Sequence, residues 1–368
     1  MIQTIPYLKK DEQAVFALRE LYRRYGYLPY KMSRFEEYDL YVRNKDFLVS
    51  DQIITFADRN GKLLALKPDV TLSIIKNSPD RPGAVQKLYY NENVYRADSA
   101  SRDIREIMQA GLECVGDLGD YEIAEVVLLA ARSLALLGGE FVLDLSHMGL
   151  IAAVLDECGV TERERVLRCL RQKNAHELRE ACAGLDEAAV EKLLLLVELS
   201  GRAEEVLERL KPALTSGAAL QALAELESLC VLLAENGFAG TVRVDFSVGN
   251  DMKYYSGVVF KGYLAGIPTG ILSGGQYDKL MRKMGRASRA IGFALYLDLL
   301  ERQDGAAENF DVDTVILHDG TADPAQLTAA AEEAAERGTV LVTTSLPQNR
   351  SWSRVVEIRG GKRDDGNG

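Results

Sequence analysis

The chain has 368 residues, 47% hydrophobic and 27% charged, which is the balance of a globular protein with core enough for two or three structural units. Its 44 Lys and Arg against 55 Asp and Glu leave a net charge of −11, which argues against broad binding to tRNA or DNA, since counterion release needs clustered cations. Five cysteines form no CxxC pair and no histidine stands at metal-ligand spacing, so reduced thiols and no metal or other cofactor are expected. No run of about 18 apolar residues occurs and the N-terminus lacks a charged-then-apolar layout, so the expected location is cytoplasmic.

In chain order, residues 9 to 25 read as an amphipathic helix with Val15, Leu18, Leu21 and Tyr22 on one side. A strand is predicted from Leu28 to Phe35. Residues 51 to 67 read as a hairpin turning at Asp58-Arg59-Asn60-Gly61, where the Asn-Gly pair is the signal. Pro68-Asp69 opens a helix that turns Val70, Ile74 and Ile75 inward. Two strands follow, Lys87 to Arg96 and Arg105 to Cys114, joined by a polar loop from Ala97 to Asp103. The second alternates: Arg105, Ile107, Gln109, Gly111 and Glu113 share one face, and Glu106, Met108, Ala110, Leu112 and Cys114 the other. Such a polar face suits a small zwitterion or a nucleotide, or is simply a half-solvated sheet.

Tyr121 to Leu137 is a helix ended by Gly138-Gly139, and Phe141 to Leu145 a strand. From Gly149 to about Asn236 the pattern is almost wholly helical, with Leu-rich runs suited to a small bundle and nothing catalytic in it. Val242 to Val248 alternates again, Gly270 to Gly275 reads as a turn, and Ala290 to Leu300 as a strand followed by a helix. The Arg282, Lys283, Arg286 and Arg289 cluster fits a solvated helix face or an anion contact. Beyond a polar linker, DGAAEN, residues 310 to 360 hold a β-α-β-β unit, and the apolar-free tail 361 to 368 is expected to be disordered.

The segments that carry chemistry resemble those of histidyl-tRNA synthetases. Leu66-Lys67-Pro68-Asp69-Val70-Thr71 is similar to that family's LRPEGT segment, and Tyr95-Arg96 with Arg105 to Glu113 to its class II motif 2. Tyr254 to Phe260 and Gly274-Gly275-Gln276-Tyr277-Asp278 resemble its two histidine motifs, and Ile291 to Asp298 its motif 3. The likeness covers roughly residues 1 to 302 and is nearest to the synthetase's non-catalytic paralogues, the regulatory subunits of ATP phosphoribosyltransferase. It implies an α+β, class II aminoacyl-tRNA synthetase-like antiparallel sheet flanked by helices, with a helical insertion at about 149 to 236 and a small C-terminal α/β unit. It also implies a homodimer built on residues 28 to 35, where Ser33 replaces the motif 1 proline.

Adenylation needs arginines around a triphosphate, because their planar forks bind phosphate oxygens in pairs and stay charged. By this resemblance Arg96 keeps one such position, whereas Asn250 and Leu299 replace the other two. Tyr296 stands where adenine needs a glycine, and Ile107 where it stacks on a phenylalanine; Lys253 lies close enough to Asn250 to substitute in part. Each lost donor costs about 3–4 kcal/mol in the transition state, so adenylation should fall to near background. The amino-acid half is better kept. Asp69 and Gln109 match the groups for a ligand ammonium, Thr71 is retained, Glu113 can accept from an imidazole N–H, and Tyr255 and Tyr277 match the imidazole-lining tyrosines; Gln276 replaces an arginine. These residues, with Arg96, form either a pocket that still binds histidine or a remnant holding the sheet together.

The resemblance therefore implies no catalytic residue. It implies a regulatory subunit that joins a short-form ATP phosphoribosyltransferase catalytic subunit in the first step of histidine biosynthesis, with L-histidine as effector. The rivals are a true histidyl-tRNA synthetase and a stand-alone histidine-binding paralogue. The C-terminal unit is then a degraded anticodon domain or part of a docking surface.

Overall fold

The structure, a computed structural model, describes residues 9–45, 53–97, 103–248, 254–303 and 310–360. Asn250, Lys253, most of the Ala97–Asp103 loop, the DGAAEN linker and the tail from 361 lie outside the described residues. By contacts the chain divides into two compact units, Met1–Gln303 and Asp304–Gly368.

The first unit opens with α1 (Lys10–Arg24), β1 (Leu28–Pro29), β2 (Phe35–Glu37), α2 (Tyr38–Arg43), β3 (Thr55–Ala57), β4 (Leu63–Leu66) and α3 (Thr71–Asn77). Next come β5 (Val85–Ala97), β6 (Ile104–Gly116), α4 (Asp120–Leu137) and β7 (Phe141–His147). The helical stretch holds α5 (Met148–Glu157), α6 (Arg163–Gln172), α7 (Ala175–Ala181), α8 (Glu187–Glu198), β8 (Ser200–Arg202), α9 (Ala203–Leu210) and α10 (Gly217–Leu233). It is followed by β9 (Val242–Asp245), β10 (Val258–Leu264), β11 (Leu272–Gln276), α11 (Asp278–Lys283) and β12 (Arg289–Tyr296).

Nine strands make one mixed, mostly antiparallel sheet in the order β1-β5-β6-β12-β11-β10-β7-β9-β8. β5 and β6 pair along thirteen residues, Val85↔Gly116 to Ala97↔Ile104, so the two strands read from period two form its longest ladder. One face of the sheet carries the main core. Leu112 and Cys114 of β6 and Phe293 and Leu295 of β12 join Leu18 and Tyr22 of α1 and Val126 and Leu129 of α4. α4 shows why such a helix forms where it does: the Gly119 N–H donates to Glu122 Oε2 at 2.8 Å at its start, and Gly138, at φ 81°, closes its end. The other face is covered by a second apolar cluster, in which Leu72, Ile74 and Ile75 of α3 meet Tyr90, Val115, Tyr277 and Leu280. A separate three-stranded sheet, β2-β4-β3, contains the expected hairpin, with its turn at Asp58–Gly61.

Three readings of the sequence are corrected, the last of them in part. Leu28 to Phe35 is not one strand, because only Leu28 and Pro29 pair, with β5, while Phe35 begins a strand of the small sheet. Gly270 to Gly275 is not a turn, because from Leu272 it runs as the central strand β11; the Gly274 position faces Phe293 and the Gly292 carbonyl so closely that any Cβ would collide with them. The helices of the 149 to 236 stretch do pack on one another, and their α5 and α10 side chains also join the main core, while β8 extends the large sheet beside β9. The basic cluster is only in part a solvated helix face: Arg282 and Lys283 at the end of α11 are exposed, whereas Arg286 donates to the Ser78 and Lys76 carbonyls and Arg289 to the Leu118 carbonyl at 2.8 Å.

By length and composition α10 and the turn after it could cross a membrane, yet Leu223, Leu226, Leu229 and Leu233 are buried against the protein. All five cysteines are free and buried.

The second unit is a parallel sheet, β13 (Val312–His318) between β14 (Val340–Thr343) and β15 (Trp352–Ile358), with α12 (Pro324–Ala335) crossing from β13 to β14. Asp323 Oδ1 accepts from the Ala325 N–H at 3.1 Å, and Pro324 supplies the first helical position.

A buried ion pair ties the β4–α3 junction to β5. Lys67, 3% exposed, donates to Glu92, whose other oxygen accepts from the Met32 N–H at 3.2 Å. Removing one partner leaves the other charge stranded, so Lys67→Ala should cost about 3–5 kcal/mol in urea unfolding, and Lys67→Met with Glu92→Leu should recover most of it.

Candidate functional site

Antiparallel register decides which side chains share the polar face. Gln109, Gly111 and Glu113 of β6 lie opposite Tyr296, Ala294 and Gly292 of β12, and Ala294 lies opposite Ser273 of β11. Above this floor the Asp69–Thr71 turn into α3, Arg96, Tyr254, Tyr255 and Tyr277 close a cavity of about 370 Å³. The face that alternation offered as polar is thus roofed rather than half-solvated: Gln109 is 3% exposed and Glu113 2%. All seven candidate residues, Asp69, Thr71, Arg96, Gln109, Glu113, Tyr255 and Tyr277, line this one cavity.

Glu113 is the centre of the arrangement. Thr71 Oγ1 donates to its Oε1 at 2.7 Å, and the Tyr277 hydroxyl donates to Oε2. Gly292 leaves the carboxylate its seat, because a Cβ there would overlap Oε2. Burial pushes the Glu113 carboxyl up to about 8, against the two hydroxyl donors that favour its charge. Asp69 Oδ1 accepts from the Leu72 N–H at 2.9 Å, which fixes the carboxylate at the start of α3. Burial raises its affinity for a proton as well, opposed by that N–H and by the Arg96 guanidinium. Arg96 Nε donates to the Pro68 carbonyl at 3.0 Å, so this arginine braces the turn that presents Asp69.

Gln109 stands out: its Nε2 is buried and has no hydrogen-bond partner among the described residues. A buried amide donor without a partner costs about 1–3 kcal/mol, so a ligand atom that accepts from it is well placed to recover that loss. Three tyrosines form an aromatic wall, with Tyr254 and Tyr255 rings 4.5 Å apart and edge-on, and Tyr254 and Tyr277 rings 5.8 Å apart. Tyr90, Tyr254 and Ser273 also line the cavity and were not singled out from sequence. For Tyr90 a signal existed, since it sits at strand period opposite Gly111.

The positions for a nucleotide look different. Tyr296 lines the cavity directly opposite Gln109, Ile107 packs into the second apolar cluster, and Leu299 into the main core. Gln276 Nε2 is held by Asp278 Oδ2 at 2.6 Å. Among the described residues no group of three His, Cys, Asp or Glu could hold a metal. The histidines lie apart: His147 is buried, its Nδ1 accepting from the Leu150 N–H and its Nε2 3.2 Å from Glu225; His176 lies 3.5 Å from Glu180; His318 Nδ1 accepts from the Gly320 N–H.

Comparison with known proteins bears on the family and the fold. The family model for histidyl-tRNA synthetase matches residues 6–300. An ATP phosphoribosyltransferase regulatory subunit of Symbiobacterium thermophilum is 34% identical across 72% of this chain and 69% of that protein. One of Bacillus subtilis is 29% identical across 100% of this chain and 98% of its own. A Bacillus halodurans crystal structure, described as an ATP phosphoribosyltransferase regulatory subunit/histidyl-tRNA synthetase, superposes with a TM-score of 0.76 at 25% identity, covering 96% of this chain and 95% of that one.

The buried carboxyl has a consequence for stability. The fold holds a proton on Glu113 up to about pH 8, whereas the unfolded chain releases it near 4.5. The native state therefore binds more protons in that window, and stability falls as pH rises through it. Glu113→Gln, a neutral isostere, should gain in Tm relative to the parent by a few degrees more at about pH 8 than at about pH 5. A pH-independent gap in thermal melts would place the charge elsewhere.

Proposed function

The chain belongs to the histidyl-tRNA synthetase family and, within it, to the ATP phosphoribosyltransferase regulatory subunits, and from that membership we propose that it senses histidine for a separate catalytic chain. It is the non-catalytic partner of a short-form ATP phosphoribosyltransferase in the first step of histidine biosynthesis. It works in the cytoplasm as a homodimer within a larger assembly.

The observation that carries this reading is the unequal fate of the two halves of the cavity. In the amino-acid half, Asp69 and the unpartnered Gln109 amide converge where a zwitterion's charged groups can sit, and Glu113, Tyr255 and Tyr277 surround the place for an imidazole. The Asp69 carboxylate suits the ammonium, and the Gln109 N–H suits the carboxylate. In the nucleotide half, Tyr296, Ile107 and Leu299 offer no cation to a phosphate and leave little room for a purine. A cavity of about 370 Å³ is at the small end of ligand sites (roughly 300–1,000 Å³), enough for one amino acid but not for an amino acid and ATP together.

Histidine can regulate only through different affinities for two arrangements of the subunit. The cavity offers a means: its roof is α3 and the Tyr254–Tyr277 wall, and its floor is the sheet, so an occupant favours the arrangement in which the two are closed together.

In the assembled enzyme, Glu113→Ala or Tyr277→Ala should raise the histidine concentration for half-inhibition by about tenfold or more, while gel filtration still finds the complex. Inhibition curves identical to the parent's would remove this cavity from the sensing role. Histidine-driven ATP–pyrophosphate exchange by the chain alone should stay at background; brisk exchange would return it to the synthetases.

A further inference from the structure

A second concave surface lies along α10, away from the cavity. Along α10 the residues Leu220, Ala224, Glu227 and Val231 follow a 4-3-4 spacing and so fall in one stripe along the helix, which Ala234, just past its end, continues. The stripe faces outward: Leu220 is 40% exposed and Val231 50%. Beside it a recess of about 580 Å³ runs between α9, α10 and β9, with Leu207, Leu223 and Cys230 on its floor. Its rim is acidic. Arg202 Nε already lies 3.7 Å from Glu205 and Lys211 Nζ 3.6 Å from Glu227, while Glu204, Glu208 and Glu235 have no ion-pair partner among the described residues.

We propose that this stripe and recess dock an amphipathic helix of the catalytic chain, which sets apolar side chains against α10 and points Lys or Arg at the acidic rim. Heptad spacing is what a second helix requires, since its side chains then meet the seam once per half-heptad. The unmatched carboxylates give that helix its sign. The same carboxylates disfavour an anionic bilayer, which would be repelled. The proposal rests on the regulatory-subunit reading only for the identity of the partner.

The test titrates the full-length chain against the catalytic subunit at low and high salt, by calorimetry. The parent should bind more weakly as salt rises. Glu204→Lys with Glu208→Lys and Glu235→Lys should weaken binding about tenfold or more and flatten the salt dependence. Val231→Asp should weaken it comparably, Val231→Leu should leave it unchanged, and all variants should keep the parent's circular dichroism and Tm. Parental affinity and salt slope in the charge-reversed and Val231→Asp chains would overturn the docking site alone. A change in the chain's own oligomeric state in Val231→Asp, with assembly intact, would assign the stripe to a second copy, and binding of the lone chain to phosphatidylserine vesicles would assign it to a membrane; either overturns it. A parent that does not assemble would sink the functional reading with it.

Discussion

The buried carboxyl group of Glu113 is the constraint on which the polar side of the large sheet depends. It belongs to β6, takes one hydroxyl from Thr71 at the start of α3 and another from Tyr277 ahead of α11, and requires that β12 carry glycine at 292. Three segments distant in sequence are therefore held to one small group. A carboxyl group without partners in that position is expensive, so roof and floor are coupled through hydrogen bonds as well as through apolar contact.

The neighbouring half of the site has been rebuilt as ordinary packing. Leu299 contributes to the main core and Ile107 to the second cluster, so both now add apolar burial rather than ligand contact. Arg96, which the resemblance gives to a phosphate, has its Nε on the Pro68 carbonyl, where it steadies Asp69. On the proposed reading, a synthetase-like shell with a few side chains changed keeps recognition of an amino acid without the groups that stabilise a transition state.

Much of this was legible in the amino acids because the strongest signals were periodic or local. Strict alternation from Arg105 to Cys114 marked β6, Asn60-Gly61 marked the hairpin, and the Gly138 stop marked the end of α4. β11 was misread because glycine normally signals a turn, whereas Gly274 answers to Phe293 of the neighbouring strand β12, a fact with no trace in its own stretch of sequence. β8 was missed because three residues have no period. Tyr254 was overlooked beside Tyr255, since alternation sends neighbours to opposite faces only in a strand, and these two precede β10. Pairing of Glu113 with Thr71 could not be foreseen, because nothing in a chain states which hydroxyl reaches a carboxylate 42 positions away.

The five interior cysteines give the molecule its own opening gauge. Burial raises the thiols of Cys114 and Cys230 to about 12 and that of Cys158 to about 11, so almost no reactive thiolate exists while the structure is shut. Cys114 sits in the sheet and the other four among the helices from α5 to α10. The order in which alkylating reagents reach them would reveal which part breathes first, and whether an occupant of the cavity quiets that breathing in the helices as well as beside itself.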